Sequence, residues 1–123
     1  MRSWLLIALA AVACSKSGKG ASSKDGVIVA WKKGGLDPSD LKETKSNIGK
    51  DCATGTVNKL DVLVCTFANE KEAKAAEDSG LEWVGDNTGV SKAQGELLIV
   101  VADRKKADPT GKVMSQVIGL PAK

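Results

Sequence analysis

The chain is predicted to fold as one α+β domain, with a single mixed sheet of about five strands and three helices. Three observations lead there. Two apolar runs flank Asn58-Lys59 as the arms of a hairpin would. A second long apolar run spans Leu97 to Ala102. Helix-start signals stand at Asp37-Pro38, at Asn69 with Glu72, and at Asp108-Pro109.

In chain order, Val27-Ile28-Val29-Ala30-Trp31 is short, apolar and β-branched, and reads as a buried strand. Asp37 as N-cap and Pro38 in the first turn then predict a helix carrying Leu41 and Ile48 on one face and ending at Gly49. Asn69 with Glu72 forms a capping-box variant, and Glu70 with Lys74 a supporting i,i+4 pair. The helix they open carries Ala73, Ala75 and Ala76 and is expected to end at Gly80. Leu81, Trp83 and Val84 begin a shorter strand, closed by Gly85-Asp86-Asn87-Thr88-Gly89. The run Leu97–Ala102 has no polar residue, so it reads as an internal strand covered on both faces. Asp108-Pro109-Thr110 opens a last helix with Val113, Met114, Val117 and Ile118 inward, stopped by Gly119 and Pro121.

The hairpin carries the most specific prediction. A two-residue loop at Asn58-Lys59 pairs Val57 with Leu60, and counting outward sets Cys52 opposite Cys65. Hydrogen-bonded and non-hydrogen-bonded pairs alternate, which makes 52–65 a non-hydrogen-bonded pair with Cα atoms about 4.5 Å apart. That spacing suits a disulfide.

Read end to end, the order is β-α-β-β-α-β-β-α, whose first six elements follow the ferredoxin-like βαββαβ order with an added strand and helix. The strand 97–102 is placed beside strand 27–31, with 81–88 outside it. Segments 28–39 and 99–110 also echo each other, as strand, basic pair and Asp-Pro-Ser/Thr.

Composition narrows the chemistry. The chain has 123 residues, a net charge of +3 and no histidine or tyrosine. Absent histidine removes His-dependent triads and the commonest transition-metal ligand. No Gly-rich phosphate loop, calcium loop or Cys-x-x-Cys is present. The charges are mixed along the chain, so no basic face for nucleic acid is expected. No catalytic residue, metal ligand or cofactor is assigned.

The N-terminus supplies the address. Arg2, an apolar stretch from Trp4 to Ala13, and small residues at the junction make a secretory signal pattern. The stretch is shorter than the roughly 20 residues needed to span a bilayer. The junction Ala11-Val12-Ala13-Cys14, with Ala11 where leucine is usual, resembles the signal sequences of bacterial lipoproteins. That resemblance implies cleavage before Cys14 and lipid attachment to its thiol and amine. It also implies an exported, envelope-anchored protein, in whose oxidising compartment a Cys52–Cys65 disulfide forms. In a Gram-negative host, Ser15 after the lipidated cysteine implies the outer membrane. The expected organisation is a signal peptide at 1–13, Cys14 with a flexible tether through residue 25, and one domain over 26–123.

The function expected is a small lipid-anchored envelope protein that binds or scaffolds without catalysis. The alternatives are a small-ligand-binding module and, with less support, an enzyme using carboxylates or a lysine. The expected partners are the membrane, through the anchor, and an anionic envelope component or another protein. Lys32 and Lys33 follow the first strand, and Arg104, Lys105 and Lys106 follow 97–102. If those strands are parallel neighbours, these five residues form one anion-binding rim.

Overall fold

The computed structural model describes residues 23–49 and 51–122. The expected signal peptide, Cys14 and the expected tether up to residue 22 lie outside the described residues. The elements are α1 (Lys24–Lys33), β1 (Lys42–Thr44), β2 (Asp51–Val57), β3 (Leu60–Thr66), α2 (Glu70–Ala75), α3 (Glu77–Val84), β4 (Thr88–Gln94), β5 (Leu97–Asp103) and α4 (Lys112–Gly119), with a 3-10 turn at Leu120–Ala122. The architecture is α+β, with one open sheet of order β1-β2-β3-β5-β4 and antiparallel pairing between every pair of neighbours. Helices α2 and α3 share Ala76 as a cap and behave as one helix bent there, leaving three helical bodies.

The hairpin forms in the expected register, Val57 opposite Leu60 and Cys52 opposite Cys65. Asn58 and Lys59 both take positive φ (49° and 75°), as a type I′ turn requires. The two cysteines form a disulfide with Cα atoms 4.0 Å apart.

Residues 27–31 are helix, not strand. Ser23 sits at the N-cap and its Oγ accepts the Gly26 amide at 3.1 Å. Asp25 lies in the first turn and Lys32 and Lys33 in the last, each favourably placed toward the helix dipole. Val27 and Trp31, four apart, are fully buried, whereas Val29 between them is 58% exposed. That is a helical period, and five apolar residues are too few to separate it from a buried strand. The helix begins inside the stretch read as tether, because its cap and first turn are polar.

The helix expected from Pro38 to Ile48 is absent. Pro38 bridges Val57, and the Ser39 amide donates to the Thr56 carbonyl at 2.8 Å. The Asn58 side-chain oxygen accepts the Asp37 amide at 2.7 Å. The segment thus lies extended along β2, where Gly55 gives it room. A Cβ on Gly55 would stand 2.7 Å from Ser39 Oγ and 2.9 Å from a Leu41 methyl. Two Asp-Pro sites that look alike in sequence thus lead into different structures, and with 28–33 helical and 97–103 strand there is no repeated βα unit.

Gly80 does not end a helix, and 81–84 are not strand. Gly80 is buried within α3, where a Cβ would crowd Ser91 and stand 2.8 Å from a Val100 methyl. The glycine lets α3 lie close on the sheet. The helix stops instead at Gly85, with φ 69°.

Every residue of β5 is buried, as expected of a strand covered on both faces. Its neighbours are β3 and β4, not residues 27–31. On one face Leu60, Val62, Val64, Leu97, Ile99 and Val101 pack under α1 and α4. On the other, Cys52, Leu63, Cys65, Leu98, Val100 and Ala102 pack under the bent helix. Trp31 joins α1 to α4 by donating its indole N–H to the Val117 carbonyl at 2.8 Å.

At the start of β2 the Asp51 carboxylate pairs with Lys24 and accepts the Thr66 hydroxyl at 2.6 Å. The Lys24 hydrogen bond, and then that of Thr66, hold the Asp51 carboxyl below the usual carboxylate range. A lowered folded value stabilises the fold above the unfolded pKa of about 3.9, and that contribution fades as pH falls through the folded value. Accordingly, the urea-midpoint gap between wild type and Asp51→Asn should shrink steadily from about pH 6 to about pH 2. A constant gap would remove the assignment. The pair is exposed, so the effect is small.

Candidate binding cleft beside the edge strand

The clearest concave feature follows from how the chain leaves β5. Asp103 and Asp108 are buried carboxylates, 5% and 7% exposed. Asp103 accepts the Ala107 amide at 2.7 Å on one oxygen and the Asp108 amide at 2.9 Å on the other. Asp108 accepts the Met114 amide at 2.9 Å, so it caps α4 across the left-handed Gly111 (φ 76°). Asp103 and Asp108 therefore shape the loop between β5 and α4.

That loop forms a polar mouth of about 460 Å³, lined by Asp86, Thr88, Asp103, Lys106, Asp108 and Gly111 among others. Three carboxylates against one ammonium leave it with a local charge of −2. Thr88 and Gly111 also line a second hollow of about 430 Å³, which runs between β4 and α4 over Val90, Met114, Ser115 and Ile118. The two form one track, acidic at the start of β4 and apolar along it. Val90, 36% exposed, stands on its wall.

The predicted basic residues do not point to one place. Lys32 and Lys33 are exposed in the last turn of α1, a helix end and not a strand end. Arg104 pairs with Asp61 at 3.2 Å, lies 4.3 Å from the Trp83 ring centroid and donates to the Trp83 carbonyl at 2.7 Å. Lys105 lines a separate cleft with Asp37, Thr56, Asn58 and Lys59. Lys106, with φ 56°, lines the acidic mouth. What the residues share is one end of the sheet, because α1 leads through Leu36 to Asp37, which bonds the β2–β3 turn beside the end of β5. Parallel strands play no part in that.

Among the described residues, no group of three or more His, Cys, Asp or Glu is arranged to hold a metal ion. No described helix is long and apolar enough to cross a membrane. Comparison of the chain with protein-family models, curated proteins and solved structures finds no match.

The cleft was not legible in the sequence. Thr88-Gly89-Val90-Ser91-Lys92-Ala93-Gln94 is mostly small or polar, and only its first two residues read as structure, a turn. The one available signal was Val90 amid polar neighbours, which marks an edge strand only once its position in the sheet is known.

Proposed function

We propose that this is a small lipid-anchored protein of the bacterial envelope that binds or scaffolds a partner without chemical turnover. Support for binding over turnover comes from the fate of the buried carboxylates. Asp103 and Asp108 accept backbone amides of their own loop and of the first turn of α4, so they shape the cleft. The exposed remainder is a shallow apolar track with an acidic mouth, a surface suited to recognition. The anchored placement rests on the signal pattern ending at Cys14.

Fractionation and intact mass test the anchor. Wild-type protein should be recovered from membranes with diacylglycerol and acyl mass on Cys14 and without residues 1–13. Cys14→Ser should remain uncleaved or leave the membrane fraction. Mature membrane-extracted protein with an unmodified Cys14 would overturn the reading. Cross-linking in membranes of the native host, with partners identified by mass, tests the binding role.

A further inference from the structure

We infer that β4 is the pairing edge of a symmetric dimer, in which two copies of this chain join antiparallel about Val90 into one continuous sheet. The argument begins with the hydrogen-bond phase of β4. Gln94 and Leu97 close the β4–β5 hairpin, so Gln94, Lys92, Val90 and Thr88 direct their amides and carbonyls to β5. Gly89, Ser91 and Ala93 direct theirs outward. The phase is corroborated at Ala93, whose amide donates to the Glu77 carboxylate at 2.7 Å instead of to β5. That contact closes one end of the edge, and among the described residues Gly89 and Ser91 stay open.

Only one two-fold register uses all the open groups. Centred on Val90, it sets Gly89 opposite the second copy's Ser91 twice, as the two hydrogen-bonded pairs. Centring on Ser91 would instead bring Gly89 against the capped Ala93. In the Val90 register the two Val90 side chains form a non-hydrogen-bonded pair, the class with Cα atoms about 4.5 Å apart. Both lie on the face of the apolar track with Met114 and Ile118.

Charge makes a second copy the fitting occupant. Two residues beyond Val90, Lys92 of one copy falls opposite Thr88 of the other, at the mouth whose carboxylates leave it with a net −2. A lysine on an edge strand ordinarily discourages pairing. Here the two-fold brings it to an acidic pocket, twice per dimer. The contact is isologous, so it closes at two copies. Confinement to a membrane would raise the effective concentration, and only in that respect does the inference rest on the anchored reading.

Cysteines added one at a time to the full chain, beside Cys14 and the Cys52–Cys65 disulfide, test the register. Val90→Cys should give a disulfide-linked dimer under mild oxidation, whereas Thr88→Cys, offset from the axis, should not. Lys92→Glu, in the Val90→Cys background, should reduce cross-linking, and adding Asp86→Lys should restore it. Each changed position is exposed, and far-UV circular dichroism with urea midpoints verifies folding. Equal cross-linking by Thr88→Cys and Val90→Cys would overturn the register. So would a monomeric Val90→Cys chain, or a photo-cross-linker at Val90 that captures a different protein in native membranes. Repeating the oxidation with Cys14→Ser excludes linkage through that thiol, and the intact mass of the chain with Cys14 in place reports its lipid, so the two proposals separate. If Cys14 carries no lipid and the dimer still forms, the anchor alone fails. If the lipid is present and the dimer is not, the edge assignment fails.

Discussion

Replacing Trp31 with Ala should cost the domain about 3–5 kcal/mol, the range for emptying a buried aromatic site. Trp31 is fully buried, and its neighbours come from two helices and the sheet, so the cavity has few ways to collapse. The substitution also removes the indole donor from the Val117 carbonyl, which is the polar tie between α1 and α4. Domains of this size have about 5–15 kcal/mol in total, so the loss is large enough to threaten folding at body temperature. Trp31→Phe isolates the hydrogen bond. It keeps most of the ring and should cost less, part of it the roughly 1–3 kcal/mol of an unsatisfied buried carbonyl. Urea unfolding followed by far-UV circular dichroism measures both. If Trp31→Ala shifted stability by less than about 0.5 kcal/mol, as surface changes do, the packing of α1 on the sheet would be wrong.

Removing the Cys52–Cys65 bond should cost about 3 kcal/mol, the chain-entropy value for a loop of this length. The cross-link joins adjacent strands at the end away from the turn, where fraying of β2 and β3 would otherwise begin. Both sulfurs are also core atoms, 2% and 0% exposed by residue, so Cys52→Ala/Cys65→Ala loses some packing as well. Denaturant midpoints of native protein with and without reductant give the bond alone, and the double variant gives bond plus packing. Native protein should show neither thiol reactive before reduction. Free thiols at both positions, or equal midpoints in the two redox conditions, would contradict the structure.

The Cys52–Cys65 bond and Trp31 mark where sequence reasoning succeeds and where it stops. The disulfide was legible because a hairpin is local. A two-residue loop sets the register, and strand phase sets which pairs approach most closely. The capped start of α2 and the burial of β5 were legible for similar reasons: Asn69 and Glu72 act within one turn, and an unbroken apolar run must be covered on both faces. Trp31 belongs to an apolar run too short to reveal its period. Whether 27–31 is helix or strand was decided by Ser23 capping its start and by α4 lying where Trp31 can bond it.

By itself, then, the sequence determined the α+β class, the hairpin register, the disulfide and the interior strand. Tertiary structure alone decided that Pro38 pairs with Val57, that Gly80 lies inside a helix, and that polar β4 closes the sheet beside α4. Caps, turns and strand phase act between residues a few positions apart, so a short window of sequence encodes them directly. Sheet order and the cleft arise from burying two faces of one sheet at once, a condition on the whole chain that no short window contains.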